Sequence, residues 1–126
     1  TPARDFPTWE SEHENAAYNA RLGKGAAVYT ADSGTISDPR LLQHFIQTAQ
    51  SQDIPYQLRQ PGGGRTDAAM IHRQRAGVPS LSISVPVRFL HTPVSLANLE
   101  DIQATLALLR AGLEKFPSDL LRRGER

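Results

Sequence analysis

Two loops of the sequence carry residue types that can take part in chemistry. Residues 62–67 read Gly-Gly-Gly-Arg-Thr-Asp, and residues 87–93 contain His91. Glycines let a backbone approach an anion or a substrate closely, and an imidazole can bind a metal ion or transfer a proton. Both runs follow β-prone segments, so they form the candidate site. Each also has an ordinary interpretation: a tight strand-to-helix turn for the first, and a hydrogen-bonded histidine for the second.

The other patterns argue against several complete sites. The glycine run lacks the Gly-Lys-Ser/Thr ending of a phosphate-binding loop, and there is no His-Glu-x-x-His pair. A triad of Ser33, His91 and Asp67 has no nucleophile elbow to support it. A carbohydrate hydrolase needs two facing carboxylates, and no convincing pair is found. A dinuclear hydrolytic centre needs about five or six ligands, so a self-contained metal site is not expected.

Composition narrows the classes of partner. The 126 residues include 14 Lys and Arg against 13 Asp and Glu, a net charge of +1, which does not favour a nucleic-acid partner. No apolar run approaches the roughly 20 residues that span a bilayer, so neither a membrane nor a secretory route is predicted, and a cytoplasmic protein is expected. With no cysteine, any metal must be held by His, Asp or Glu. Because the first residue is Thr1, we expect an excerpt or a processed piece of a longer chain.

The elements that must position the two loops follow from hydrophobic periodicity. A loop is predicted over residues 1–25, and the order thereafter is strand, helix, strand, helix, strand, loop, helix. The strands are predicted at 26–31, 54–59 and 81–85, and the loop at 86–97. The first helix is predicted after Asp38, the second after Thr66 or Asp67 as its capping residue, and the third from Asn98 to Phe116. This alternation predicts an α/β fold with a partly parallel sheet. Both candidate loops are expected on the same face of that sheet.

The last predicted helix has the clearest pattern. Its large apolar residues recur at three- and four-residue intervals and are expected to form the face packed against the core: Leu99, Ile102, Leu106, Leu109, Leu113 and Phe116. Asn98 is expected to cap the helix, and Asp101, three residues further on, is explained as part of the same capping arrangement.

Four short segments, taken in order, resemble the end of the TET-type or glutamyl aminopeptidases, metallopeptidases whose members are often named endoglucanases. The matching segments are 22–25 (Leu-Gly-Lys-Gly), 54–57 (Ile-Pro-Tyr-Gln), 64–68 (Gly-Arg-Thr-Asp-Ala), and 77–80 with 88–94, which ends in Arg-Phe-Leu-His-Thr-Pro-Val. The resemblance implies a three-layer α/β sandwich with a mixed sheet covered by helices. Residues 26–126 would be the carboxy-terminal half of that catalytic domain, entered through the loop 1–25.

The resemblance also implies roles for individual residues. His91 matches a ligand of one of two divalent metal ions, zinc or cobalt, and the turn containing Gly63, Gly64, Thr66 and Asp67 matches a border of the substrate pocket. The family's other ligands and its catalytic Glu precede the region covered here, the last of them by a residue or two before Thr1. Ala69, Met70 and Ser95 depart from the commoner residues, which leaves the substrate preference open.

These implications define what the chain is expected to do. It would be part of an aminopeptidase that acts on peptides, with no catalytic residue of its own and no activity when isolated. Its partners would be the missing amino-terminal portion or a companion chain, and further copies in a homo-oligomer. The alternative is a non-catalytic binding or assembly domain that retains the peptidase fold.

Overall fold

The computed structural model describes residues 1–3, 20–62 and 64–122. Most of the predicted loop over residues 1–25 therefore lies outside the described residues. The described residues form five strands and three helices: β1 Ala26–Tyr29, α1 Pro39–Ser51, β2 Tyr56–Arg59, α2 Ala68–Ile71, β3 Ile83–Ser84, β4 Val87–Arg88, β5 Leu96–Ala97 and α3 Leu99–Glu114.

The principal sheet has the strand order β2-β1-β3. All four residues of β1 are buried, as expected for a central strand with small and β-branched side chains. β1 runs parallel to β2, with Ala26 opposite Tyr56, and antiparallel to β3, with Val28 opposite Ile83. Helices α1 and α3 contact each other, and α3 contacts β1. The predicted α/β fold with a mixed, partly parallel sheet is confirmed.

The predicted loop over residues 86–97 contains regular structure, so this part of the prediction is wrong. β4 and β5 pair antiparallel, with Val87 opposite Ala97 and Arg88 opposite Leu96. The predicted strand 81–85 is correspondingly shorter, because only two of its residues belong to β3. Period-two alternation identified the extended chain before Pro86, but it did not show that another strand begins at Val87.

Two of the predicted helix caps are confirmed and one is wrong. The Asp38 side chain accepts a hydrogen bond from the N–H of Arg40 at the start of α1, and Asn98 accepts one from Glu100 at the start of α3. Asp67 precedes α2 but makes no capping hydrogen bond. The Thr66 hydroxyl group donates to Asp32 instead, and its oxygen lies 3.0 Å from the Ser82 hydroxyl.

α3 packs with the opposite face from the one predicted. Its buried side is built of small residues, including Ala104, Ala111 and Gly112, around the fully buried Leu108. A Cβ atom on Gly112 would lie 2.3 Å from Cε1 of Phe45, so only glycine allows α1 to come this close. The large stripe points away from the described core: Leu106 is 67% exposed and Leu113 is 66% exposed.

Asp101 is not a capping residue. Its side chain is fully buried and accepts hydrogen bonds from the N–H groups of Gly23 at 2.8 Å and Gly25 at 2.7 Å. These two donors lie in the segment that leads into β1, so the carboxylate ties that segment to the first turn of α3. The spacing between Asn98 and Asp101 favoured a capping role for Asp101. That spacing carries no information about Gly23 and Gly25, which are its partners in the structure.

Among the described residues, no helix is both long enough and apolar enough to cross a membrane. The cytoplasmic location remains a prediction from the sequence.

We expect the substitution Asp101→Ala to lower the free energy of unfolding by about 2–4 kcal/mol, because it leaves two buried N–H donors without an acceptor. Urea denaturation followed by circular dichroism measures the change. The matched control is Glu100→Ala, which removes an exposed carboxylate from the same helical turn and should cost less than about 1 kcal/mol. Equal losses in the two variants would contradict the role assigned to Asp101.

Candidate functional site

The glycine-rich turn after β2 is held in place by Asp32, which follows β1. The Asp32 carboxylate accepts hydrogen bonds from the Thr66 N–H at 2.9 Å and the Thr66 hydroxyl at 2.7 Å, both at Oδ2. Its Oδ1 accepts the N–H of Gly34 at 2.8 Å. One carboxylate therefore fixes its own turn and the second half of the glycine-rich turn together.

The hydrogen bonds to Asp32 also determine its ionisation. Desolvation of this carboxyl group raises its pKa, but hydrogen bonds from Thr66, Gly34 and Thr35 outweigh that effect and hold the pKa below its ordinary value. The group is therefore a carboxylate throughout the neutral range and acts as an acceptor, not as a proton donor.

Two further hydrogen bonds complete this part of the site. Ser33 donates from both its N–H and its hydroxyl to the carbonyl oxygen of Gly64, at 3.1 and 2.8 Å. The Thr66 and Ser82 hydroxyl oxygens are 3.0 Å apart; since the Thr66 proton goes to Asp32, Ser82 is the donor. The glycine-rich turn is thus hydrogen-bonded to the segment that follows β1 and to Ser82, the residue before β3.

His91 lies in the connection between β4 and β5, and its side chain is exposed. This connection is tightly folded: Phe89 and His91 have φ angles of 60° and 62°, a region that residues other than glycine adopt only where surrounding contacts hold them. Thr92 donates its hydroxyl proton within the connection, with the carbonyl oxygens of Phe89 and Val94 at 2.6 and 2.8 Å, and the Ser95 hydroxyl reaches Phe89 O at 3.2 Å. These contacts present the imidazole outward from a fixed backbone.

The expectation that both loops lie on the same face of the sheet rests on a parallel alternation of the strands, and that direction is wrong for β3. β1 and β2 are parallel, so their carboxyl ends lie at the same end of the sheet. β3 is antiparallel to β1, so the chain leaves β3 at the opposite end. Strand direction cannot be read from periodicity, and the alternation of helices and strands suggested a parallel arrangement that β3 does not adopt.

Arg59 nevertheless connects the two regions. This last residue of β2 is 2% exposed, and its guanidinium donates to Ala31 O at 3.1 Å and to Thr1 Oγ1 at 3.2 Å. It also lies 4.4 Å from the ring centroid of Tyr29, a cation–π distance. A Cβ atom on Gly64 would be 3.9 Å from its Nη2. The guanidinium therefore contacts the end of β1 and Thr1, and it lies near Gly64 of the glycine-rich turn.

Thr1 in turn lies beside the strand that leads to His91. Its N–H group donates to Val85 O at 2.8 Å, Val87 donates to Thr1 O at 2.8 Å, and Ala3 donates to Val87 O at 2.7 Å. This is the hydrogen-bonding pattern of a parallel pair, with Pro2 bridged to Val87. The end of β2, residues 1–3 and the start of β4 thus converge around Arg59.

The structure separates the remaining candidates from this convergence. Asp67 is exposed, and Gly63 lies outside the described residues. His44 and His72 are hydrogen-bonded to backbone carbonyl groups, to Gly112 O at 2.7 Å and Ala68 O at 2.8 Å. The suggested Ser33 triad does not form in the described chain, since the Ser33 hydroxyl is bonded to a backbone carbonyl.

Asp32 and Arg59 are the functional residues that the sequence did not reveal. Asp32 belongs to an Asp-Ser-Gly run whose pattern indicated only a turn, and its partner is 34 residues away. Arg59 occupies an alternating position in a predicted strand, where a charged residue usually indicates an exposed face. A buried arginine shortly before a glycine run is a signal only once that burial is known.

The described residues also include no group of three or more His, Cys, Asp and Glu side chains that could hold a metal ion. The described residues therefore do not make a complete metal site, and the role of His91 as a ligand stays a prediction.

A family model for the M42 glutamyl aminopeptidases matches residues 3–108. The chain belongs to this family. It is 35% identical over 96 residues to a lysyl aminopeptidase of Pyrococcus furiosus, with 75% of this chain and 27% of that protein covered. Against the curated relatives first matched, the chain spans less than a third of their length, between 26% and 30%.

Solved structures show the same fold. The TET aminopeptidase of the Thaumarchaeota archaeon SCGC AB-539-E09 is 32% identical with a TM-score of 0.83, covering 94% of this chain and 32% of that one. The TET1 peptidase of Pyrococcus horikoshii, described as assembling into a tetrahedron or a large octahedral shell, is 28% identical with a TM-score of 0.64, covering 73% and 27%. These matches confirm the resemblance and the partial α/β domain.

We expect Asp32→Asn to destabilise the chain near neutral pH and to make its stability less sensitive to acid. The Asp32 pKa is lowered by folding, so its contribution is complete above the unfolded pKa of about 3.9 and is lost as pH falls through the folded pKa. The difference in unfolding free energy between wild type and variant should therefore shrink between about pH 5 and about pH 3.

The control for this pH series is Asp53→Asn, which alters an exposed carboxylate at a positive φ that asparagine also tolerates. Urea unfolding at each pH gives the free energies. A difference between wild type and Asp32→Asn that stays constant with pH would contradict the assignment.

Proposed function

We propose that the chain is the carboxy-terminal part of a metal-dependent aminopeptidase catalytic domain and contributes His91 as one ligand of a dinuclear metal centre. The convergence around Arg59 carries this proposal. It brings the glycine-rich turn, residues 1–3 and the strand leading to His91 together, and the family resemblance assigns further ligands to the region before Thr1. A metal ligand in the region before Thr1 would belong to a segment that runs beside the strand leading to His91.

The metal ions proposed are zinc or cobalt, which an imidazole binds readily. The chemistry that such a pair supplies is polarisation of the scissile carbonyl group and activation of a water molecule. His91 would bind in its neutral form through one ring nitrogen. Its outward position on a fixed connection suits a ligand whose partners come from another part of the protein.

The glycine-rich turn would border the peptide substrate. In the resemblance this role falls on Gly63, Gly64, Thr66 and Asp67, of which the last three are described. Asp32 binds both the N–H and the hydroxyl of Thr66, so those donors are not free for a substrate. The exposed Asp67 carboxylate and the backbone around Gly64 remain accessible. Asp67 would favour the positively charged amino terminus of a peptide.

The proposed partners are the amino-terminal portion of the same domain, in the same chain or a companion chain, and further copies in a homo-oligomer. The assembly described for the Pyrococcus horikoshii TET1 peptidase supports an oligomer. The non-catalytic alternative would keep the fold without using His91, and no contact of the described residues favours it over the enzyme.

We expect the purified chain to show no aminopeptidase turnover and negligible zinc affinity, because a single histidine is one ligand of a site that needs several. Hydrolysis of aminoacyl p-nitroanilides with added zinc or cobalt, and zinc titration calorimetry, measure the two properties. Zinc-dependent turnover by the chain alone would contradict the proposal.

Co-expression with the portion of Pyrococcus furiosus lysyl aminopeptidase that lies outside the matched region should restore activity. In that complex His91→Ala should lower turnover by at least about 100-fold, the upper range seen for residues that merely support a ligand. His72→Ala, which removes a partly buried histidine from the end of α2, is the control and should retain activity. An active complex that tolerates His91→Ala would favour the non-catalytic role for this histidine.

A further inference from the structure

Arg65 is a charged residue of the glycine-rich turn to which the family resemblance assigns no role. It is exposed and stands directly before Thr66, whose N–H and hydroxyl groups both donate to Asp32. Asp67, on the other side of Thr66, is exposed as well. The turn therefore presents a cation and an anion to solvent, one on each side of a residue that is bonded inward.

The Arg65 side chain is held in place by uncharged neighbours. A Cβ atom on Gly34 would lie 3.1 Å from Nε and 3.3 Å from Cγ of Arg65, so the arginine lies against a residue that has no side chain. Its Nη2 group is 3.3 Å from Sδ of Met70, which is a weak acceptor. A guanidinium carries several more N–H donors, so this contact leaves Arg65 able to bind a ligand.

The charge of Arg65 is not neutralised by an ion pair within the described part of the chain. Arg40 and Arg110 each pair with a carboxylate close by in the sequence, that of Asp38 at 2.7 Å and that of Glu114 at 2.8 Å. Arg65 forms no such pair with Asp67, although only one residue separates them. The cation and the anion of the turn can therefore each bind a group of a ligand.

These two charges are complementary to a ligand that carries an ammonium and a carboxylate group close together. An arginine donates two parallel hydrogen bonds to a carboxylate, which a lysine does not, and Asp67 attracts the ammonium group. Two residues of chain span at most about 7 Å. That limit applies equally to the Cα atoms of Arg65 and Asp67 and to the two ends of a dipeptide.

We propose that Arg65 is a specificity-determining residue: it binds a carboxylate group close to the amino terminus of the substrate, while Asp67 binds that amino terminus. The carboxylate comes from an acidic first side chain or from the carboxyl terminus of a dipeptide, and the chemistry of recognition is the same for both. Substrates with this group are favoured over their neutral analogues. This inference rests on the proposed function, in which the glycine-rich turn borders the peptide.

The kinetic test uses the complex with the portion of the Pyrococcus furiosus lysyl aminopeptidase outside the matched region. Two substrate pairs are compared by kcat/KM: glutamyl with glutaminyl p-nitroanilide, and the dipeptide Leu-Gly with its carboxyl-terminal amide. We expect the charged member of at least one pair to be favoured at least about tenfold, because a site that binds a polar group rejects the analogue without it. The pair that shows the preference identifies the source of the carboxylate.

Variants of Arg65 separate recognition from a structural role. Arg65→Gln should reduce the preference at least about fivefold, and Arg65→Glu should reverse it, because like charges repel. A merely structural loss would lower kcat/KM equally for both members of a pair. The matched control is Arg73→Gln, which removes an exposed arginine that follows α2 and should change the preference less than about twofold. No preference in either pair, or a preference that survives Arg65→Gln, would overturn the inference.

Binding is measured as well, so that an inactive complex still decides the matter. Isothermal titration calorimetry is performed on the EDTA-treated complex, and on the chain alone if no complex forms. The ligands are Leu-Gly against its amide, and glutamate α-amide against glutamine α-amide. We expect the charged ligand to bind at least about fivefold more tightly and Arg65→Gln to remove the difference. Such a difference in an inactive protein would contradict only the proposed function. Equal affinities, or no binding of any of these ligands, would overturn the role of Arg65.

Discussion

The buried guanidinium of Arg59 is the interaction on which the arrangement of the candidate site depends. A buried cation is costly unless its donors are used, and here it donates to the backbone that follows β1 and to Thr1, and it lies against the ring of Tyr29. These partners belong to separate parts of the chain. Because β3 runs antiparallel to β1, strand direction alone would not bring the strand before His91 toward the glycine-rich turn. Arg59 and Thr1 provide that connection.

A second carboxylate network orders the turn itself. Asp32 binds Thr66 and its own turn, while Ser33 binds Gly64. The glycine-rich turn is thus a fixed backbone, which is the property required of a surface that borders a substrate. The fixed connection around Phe89 gives His91 the same property. Both proposed contributions to the enzyme therefore depend on backbone geometry set by residues that would not themselves touch the substrate.

The fold was predictable from the sequence where local pattern decides it. The buried run of β1, the Asp38 and Asn98 caps and the helical periods located the principal elements. The family resemblance was predictable because short segments such as 88–94 kept their order. Long-range contacts were not predictable: Asp101 reads as a cap from its spacing, yet it binds Gly23 and Gly25.

The α3 stripe shows why a correct helix can still be assigned the wrong buried face. Large apolar residues at helical spacing usually mark the core, but Gly112 allows Phe45 to approach the small face closely, and that face packs in the described chain. Both faces of α3 are apolar, and periodicity alone cannot rank two such faces.

The proposed role of His91 also needs ligands from elsewhere, because its exposed imidazole belongs to no metal-binding group among the described residues. The most direct test is nuclear magnetic resonance of its ring nitrogens during zinc titration, with the chain alone and with its amino-terminal partner portion bound. We expect the His91 nitrogen resonances to shift at stoichiometric zinc only in the complex. A stoichiometric shift in the isolated chain, or none in the complex, would contradict the role of His91 as one ligand completed by the rest of the domain.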